Sequence, residues 1–374
     1  KQQEWLMPTP DGALPVTLEG SRILGDARTS AIWRGRVKDD PYSEAVFVRG
    51  ARSVVGRVTT SSGLIYRLRT APGGLSLAER VRSELIPLDV DASVVLPSRA
   101  TSRVSPKCEA SPRDQITLMV TLTDEAAEQL GSDFALWVDL ATNDTNRSFE
   151  NSLVDVRLKL VAVTTVSYRE TGKLTDDLAA LVGGRIAGAH EKRISKEGDL
   201  VVMIVGGENL GGSAPTFPGE YLHHPEAWAD SAYAVVSAET LMNSYIFTHE
   251  LGHLFGAAHD RRSTGGSKGA FCASYGHVQP TTKAPGGPWK TIMSPKENCD
   301  RCATRLHWSS PATDKFGEFM GSEHCENNAL TISTTASTIA ELHCYLGPPT
   351  GGKPSITPDC EPIPQAAACG ASKL

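Results

Sequence analysis

The segment HELGHLFGAAHD, residues 249–260, decides how the rest of the chain is interpreted. On a helix, positions i and i+4 lie on one face, so His249 and His253 can direct two imidazoles at one ion. Gly256 can adopt the left-handed conformation that ends a helix, and the resulting turn brings His259 back as a third ligand. Three neutral imidazoles leave the fourth position of a zinc ion open, which is the catalytic arrangement rather than the structural one.

Glu250 lies on an adjoining part of the same helical face and is not needed as a ligand. It is predicted to hold a water beside the metal and to accept its proton as a general base. A lone histidine on an apolar helix is more often a hydrogen-bonded core residue. Here five positions match at fixed spacing, which favours the metal site.

The segment resembles the zinc signature of the metzincin peptidases. The aspartate that follows the third histidine, Asp260, resembles the form of this signature in the adamalysin (reprolysin) branch. The resemblance implies a methionine turn downstream, beneath the zinc site. The segment TIMSP at residues 291–295 fits this turn, with Met293 in the central role, and it ends in the turn former Ser-Pro. Some metzincins place a metal-contacting tyrosine two residues after the methionine. Pro295 stands there instead, which agrees with the adamalysin branch.

Short strands are predicted near the start of the chain, at residues 31–37, 45–48, 53–58 and 64–69. They indicate a small all-β unit over residues 1–95, which contains no histidine and no cysteine and so has no chemistry of its own. The spacing of its Trp, Gly, Val and Tyr residues resembles the propeptides of secreted reprolysin-like peptidases. This resemblance implies a prodomain that acts as an intramolecular inhibitor.

Residues 96–113 read as a linker or activation segment, with prolines, serines and basic residues that offer cleavage sites. Cys108 lies inside it, and two interpretations remain open. A Cys108 thiolate can fill the fourth zinc position as a latency switch. Alternatively, Cys108 forms a disulfide, since all eight cysteines can pair.

From residue 115 onwards, strands and helices alternate. This alternation predicts an α+β fold class. The order of the elements resembles the metzincin fold, which implies a peptidase domain over residues 114–345: a twisted mixed sheet with helices, the zinc-binding helix and a small irregular lower subdomain. Residues 231–237 are expected at the sheet edge, where an extended substrate would pair. Strands are predicted at 116–122, 154–160, 200–205 and 231–237, and helices at 124–130, 134–141, 175–190 and 239–256.

After His259 the chain reads as irregular and carries five cysteines as far as residue 344. Cys299 and Cys302 form a Cys-x-x-Cys pair, a spacing that also occurs in redox and zinc-ribbon sites. The chain has no second such pair, so structural disulfides are favoured. Residues 346–374 are rich in Pro, Gly and Ala and read as a C-terminal tail.

Composition bounds the class of function. The formal charge of −6 provides no electrostatic reason to bind nucleic acid, and no apolar run reaches the length of a transmembrane segment. Eight cysteines beside a zinc peptidase signature favour an oxidising, secreted setting. The predicted protein is a secreted zinc endopeptidase, present as a zymogen, with protein or peptide substrates.

The sequence leaves two rival functions. A non-catalytic metzincin-fold binding or adhesion module would usually lack the base or a ligand, and here Glu250 and all three histidines are present. A zinc hydrolase for a non-peptide substrate is the other rival. The resemblance places the specificity pocket next to the methionine turn, at residues 294–312. Arg301, Arg305 or His307 would favour acidic substrate side chains there, unless they are solvated surface charges.

Overall fold

The structure is a computed structural model. It describes residues 3–23, 31–71, 74–81, 112, 114–208, 210–263, 268–295, 299, 301–315 and 317–346. The predictions for Cys108, for nearly all of the linker and for the tail beyond Leu346 lie outside these residues. Within the described part of the chain, no helix combines the length and the apolar character needed to cross a membrane.

An N-terminal sheet of seven antiparallel strands follows the order of the chain. The four strands predicted from alternation are present to within one residue. Strands β1, β2 and β7 were not predicted from the sequence. In β2, Pro15 and Gly20 interrupt the alternation of apolar and polar residues, and the register shifts between Leu18 and Gly20. The strands are β1 (Gln3–Thr9), β2 (Gly12–Ile23), β3 (Ala31–Val37), β4 (Glu44–Arg49), β5 (Val54–Thr59), β6 (Ile65–Thr70) and β7 (Ser76–Val81).

A second sheet of five strands has the order β11-β12-β10-β8-β9, in which only β11 is antiparallel to its neighbour. All six residues of β10 are buried, as their unbroken apolar run predicts. The mixed sheet and its helices confirm the α+β class. The strands are β8 (Gln115–Thr123), β9 (Arg157–Val166), β10 (Leu200–Val205), β11 (Gly212–Ser213) and β12 (Tyr233–Ser237).

The prediction that residues 231–237 form the sheet edge is wrong. Strand β12 pairs with β10 on one side and with β11 on the other. The edge is the two-residue β11, which is too short to show any alternation of apolar and polar residues. Its five buried residues give β12 the pattern of an inner strand.

Three helical predictions need correction. The predicted helix 239–256 is two helices, because Ser244 takes an extended conformation between them. The predicted helix 175–190 is likewise divided near Gly184 and Gly188, whose φ angles are positive. The region after His259 is not wholly irregular, since it contains α8. The helices are α1 (Asp124–Leu130), α2 (Phe134–Asn151), α3 (Leu174–Val182), α4 (Ala189–Ser195), α5 (Pro225–Trp228), α6 (Ala238–Asn243), α7 (Ile246–Leu254) and α8 (Asn328–Ile339).

Helix α2 lies between the two sheets and extends ten residues beyond its predicted end. Buried Val46, Val48 and Val55 of the N-terminal sheet belong to the same apolar cluster as Leu140 and Phe149 of α2. The N-terminal sheet therefore shares a continuous core with the rest of the chain. Short strands complete the C-terminal part: β13 (Val278–Gln279), β14 (Trp289–Lys290), β15 (Ala303–Thr304), β16 (Asp314–Lys315) and β17 (Glu318–Phe319).

Candidate active site

Helix α7 carries the first half of the zinc signature, and a glycine ends it. The amide of Gly256 donates to the carbonyl of His253 at 2.8 Å, and Gly256 has a φ of 89°. A Cβ at this position would lie 2.6 Å from the Cβ of Ala270, so only glycine fits. The chain then turns back and brings His259 towards the helix, as the spacing predicts.

The three histidines meet at one point. The Nε2 atoms of His249 and His253 lie 3.0 and 3.2 Å from Nε2 of His259. One ligand atom from each residue falls within 4.8 Å of the others. The residues are 3, 3 and 4% exposed, so the cluster lies below the surface. The structure therefore brings together the three residues that the spacing selected.

Hydrogen bonds at the other ring nitrogens orient two of the imidazoles. Nδ1 of His249 donates to the carbonyl of Ile292 at 2.9 Å, and Nδ1 of His253 donates to the carbonyl of Ala257 at 3.0 Å. With the proton on Nδ1, each Nε2 keeps the lone pair that a metal needs. Four ligands at about 2.0–2.1 Å from a tetrahedral zinc ion would be separated by roughly 3.3 Å. The donor set and its spacing thus fit zinc.

Glu250 lies directly against the edge strand of the second sheet. The residue is completely buried, and a Cβ at Gly212 would come within 2.3 Å of its Oε1 atom. Only a glycine in β11 leaves room for this carboxylate. The sequence did not single out Gly212, because the contact joins residues far apart in the chain.

Met293 packs beneath the metal-binding helix. The amide of Ser294 donates to the carbonyl of Thr291 at 3.1 Å, which closes a turn around Met293. A Cβ at Gly252 of α7 would lie 2.6 Å from the sulfur of Met293, which is fully buried. The ring of Trp308 crowds the same glycine. Gly252, the glycine within HELGH, is the sequence feature from which this close packing could have been predicted.

The cysteines described by the structure do not form a second metal site. Cys299 and Cys302 are joined to each other by a disulfide, which agrees with the prediction of structural disulfides and adds the pairing, which the sequence left open. Cys325 and Cys344 are also disulfide-bonded. Cys272 is a free, exposed thiol, so the alternative in which all eight cysteines pair is wrong for this residue.

The three basic residues proposed for the specificity pocket have different surroundings. Arg301 is exposed beside the Cys299–Cys302 disulfide, whereas Arg305 and His307 are buried. The solvated-surface interpretation therefore holds for Arg301 alone.

Comparison with known families agrees with this geometry. The sequence profile of the metallopeptidase family M12, in its reprolysin division, matches residues 113–305, slightly more than half of the chain. The chain belongs to the M12 metallopeptidases. The match begins just before β8 and includes both the histidine cluster and the turn around Met293.

Curated relatives share most of the chain. A peptidyl-Asp metalloendopeptidase of Stenotrophomonas maltophilia strain K279a is 28% identical over 339 residues, which cover 88% of this chain and 77% of the relative. The protein of the same name from Xanthomonas campestris pv. campestris is 28% identical over 311 residues, covering 80% and 70%. These findings confirm the prediction of a reprolysin-like metalloendopeptidase.

Solved structures are similar only at low identity. A chain in the structure of a chaperone–substrate complex is 14% identical with a TM-score of 0.47, over 86% of this chain and 60% of that chain, which is less than two thirds of its length. Metalloproteinase-II from Bacteroides fragilis is 12% identical with a TM-score of 0.42, over 69% and 82%. Membership of the M12 family rests on the sequence matches and not on these superpositions.

Proposed function

We propose that this chain is the zymogen of a secreted zinc endopeptidase. The observation that carries the proposal is the convergence of the His249, His253 and His259 Nε2 atoms beside the buried carboxylate of Glu250. The three histidines hold the metal and Glu250 is the catalytic residue. Met293 supports the site from below through packing and is not a ligand.

The chemistry follows from these positions. The three histidines would hold a zinc ion, which would act as a Lewis acid that polarises a carbonyl and makes water more acidic. Glu250 accepts a proton from the attacking water and later delivers it to the leaving amine. Strand β11 is the edge of its sheet among the described residues, and an extended substrate pairs there by backbone hydrogen bonds. That pairing places the scissile bond next to Glu250, because Gly212 contacts its carboxylate.

The relatives suggest the substrate class. Both are named peptidyl-Asp metalloendopeptidases. We extend this preference to the present chain, so that it cleaves peptide bonds beside aspartate.

Residues 1–95 are proposed to be the prodomain, residues 96–113 the activation segment and residues 114–345 the peptidase domain. The disulfides at Cys299, Cys325 and Cys344 support secretion, because such bonds persist in oxidising compartments. Cys108 remains a proposed latency switch. Disulfide mapping of the intact chain tests it, since a Cys108 disulfide would exclude metal binding by that thiol.

Digestion of casein, with and without a chelator, tests the function. An endopeptidase degrades casein, and the chelator abolishes the activity until zinc is restored. A binding or adhesion module leaves casein intact in both conditions. A zinc hydrolase for another substrate binds the metal stoichiometrically but also leaves casein intact.

A further inference from the structure

A small cavity separates the N-terminal sheet from the chain that follows the methionine turn. Its volume is about 30 Å³, room for one or two water molecules. Tyr42 and Glu44 line it from the N-terminal sheet, and Asn151, Trp289 and Arg305 line it from the other side. The cavity therefore lies between the two parts of the chain that activation is proposed to separate.

Arg305 is an unusual residue for such a position. Its guanidinium forms no hydrogen bond and no ion pair with the described residues, although Arg305 is only 6% exposed. The ring of Tyr42 lies over it, with 5.5 Å between Cζ and the ring centroid. Burial lowers the pKa of Arg305, and the charge of Asp40 partly opposes this effect. A buried cation without a carboxylate partner is costly to retain, which suggests a role outside packing.

The N-terminal part of the chain supplies one acid that lines this cavity, Glu44, and a second, Asp40, whose charge acts on Arg305. Asn151 Nδ2 donates to the carboxylate of Glu44 at 3.0 Å and also to the carbonyl of Leu306 at 3.0 Å. Asp40 is the acid whose charge acts on Arg305. The carboxyl group of Glu44 thus already lines the cavity, and neither Glu44 nor Asp40 forms an ion pair with Arg305.

Hydrogen bonds connect the chain segment that carries Arg305 to the histidine cluster. The carbonyl of His307 accepts from the amide of Ile292 at 3.1 Å, and the carbonyl of Ile292 accepts from His249. Tyr245, which lies near enough to affect the pKa of Arg305, precedes His249 by one helical turn, about 6 Å along the axis. A peptide whose carbonyl lies at the histidines could thus direct a side chain towards Arg305.

We infer that Arg305 is the receptor for the acidic side chain of the substrate, and that Tyr42 covers it as long as the N-terminal sheet is docked. This inference rests on the proposed endopeptidase function. The cavity is too small for an added carboxylate while the ring of Tyr42 is in place. Departure of the sheet removes Tyr42, Asp40 and Glu44 together, and leaves a guanidinium that can bind a carboxylate in a bidentate manner.

The first test uses the full chain after maturation by cleavage in the linker. Two quenched peptides that differ only by Asp or Asn at the cleavage site are compared. Arg305→Gln should lower the Asp-over-Asn ratio of kcat/KM by roughly 10- to 100-fold, the effect of losing a hydrogen bond to a charged group. Arg301→Gln is the matched control, since Arg301 is exposed, and its ratio should stay at the wild-type value. An active Arg305→Gln enzyme with an unchanged ratio would overturn the inference.

Failure of the proposed function has a different signature, because wild-type enzyme would then cleave neither peptide. Chemical labelling adds a measurement that needs no variant to fold. An arginine-specific dicarbonyl reagent should label Arg301 but not Arg305 in the intact chain. After maturation Arg305 should react, and the Asp peptide, but not the Asn peptide, should protect it. An Arg305 that stays unreactive after maturation, or that both peptides protect equally, contradicts the assignment.

Discussion

Arg57 of β5 and Asp144 of α2 form a buried ion pair that joins the N-terminal sheet to the peptidase part of the chain. The two side chains are only 3 and 4% exposed. The other terminal nitrogen of Arg57 donates to the carbonyls of Ser244, at 2.5 Å, and Leu241, at 3.3 Å. These carbonyls lie at the end of α6, just before the metal-binding helix. A single side chain of the N-terminal sheet therefore binds the segment that connects α6 to α7.

Replacement of this arginine should weaken the whole molecule. Arg57→Met leaves Asp144 as a buried charge without its partner, so the free energy of unfolding should fall by about 3–5 kcal/mol. Urea denaturation of the intact chain measures the loss. The double variant Arg57→Met/Asp144→Leu should recover most of it, because neither side chain then carries a charge.

Arg80→Met is the matched control for that experiment. Its ion pair with Asp11 has side chains that are 51 and 43% exposed, so its removal should have little effect on the midpoint. An equal loss in the Arg57 and Arg80 variants, or no recovery in the double variant, would show that the buried pair does not hold the sheet.

Metal binding should depend on His253. His253→Ala removes one of the three converging nitrogens, and the zinc content after dialysis should fall well below one ion per chain. His224→Ala is the control, because His224 is half-exposed and outside the cluster. Elemental analysis of both variants decides the point. Wild-type zinc content in His253→Ala would mean that the site is assigned wrongly.

Glu250 should be needed for turnover and not for metal binding. Glu250→Gln keeps the size of the side chain but cannot accept a proton, so casein digestion should fall by at least about 100-fold. Zinc content and melting temperature should stay at wild-type values. A zinc-loaded variant that digests casein at the wild-type rate would refute the general-base role.

Met293 should act through packing. Met293→Ala creates a cavity beneath Gly252 and should cost about 2–5 kcal/mol of stability, with zinc still bound. Met293→Leu preserves the volume and should cost less than about 1.5 kcal/mol. Denaturation and metal analysis are measured together. Loss of zinc without loss of stability would indicate coordination instead.

Acid should weaken the attachment of the N-terminal sheet. Partial burial alone would raise the pKa of Glu150, but hydrogen bonds from Arg34 and Arg147 outweigh it and the pKa is lowered. A lowered pKa in the folded state means that the ionised Glu150 stabilises the fold above its unfolded pKa of about 4.3. This contribution is lost as the pH falls through the folded pKa.

The melting temperature of Glu150→Gln should therefore lie below that of the wild type at pH 7, and the difference should disappear near pH 3. Glu128→Gln, an exposed position on α1, serves as the control with no such dependence. A difference that is constant across this pH range would assign the effect of Glu150→Gln to packing rather than to charge.

The convergence of the three histidines was predictable from the sequence because their spacing is local. His249 and His253 share a helical face through the period of the helix, and Gly256 ends that helix through its own backbone freedom. The turn around Met293 was likewise predictable from a short motif, whereas the pairing of Cys299 with Cys302 came from the structure. The alternation of apolar and polar residues in β3 to β6 and the unbroken apolar run of β10 predicted strands, because these patterns are also local.

Tertiary structure decided whatever depends on pairing between distant segments. The edge next to Glu250 is β11 and not β12, since strand order is set by which segments bury their faces together. The break at Ser244 separates α6 from α7, and Arg57, from the other sheet, binds the carbonyl exposed there. The sequence named Arg305 as a candidate pocket residue but did not distinguish it from Arg301 or His307. Only folding surrounds Arg305 with Tyr42 and removes it from water, because burial of a side chain depends on residues that local spacing does not specify.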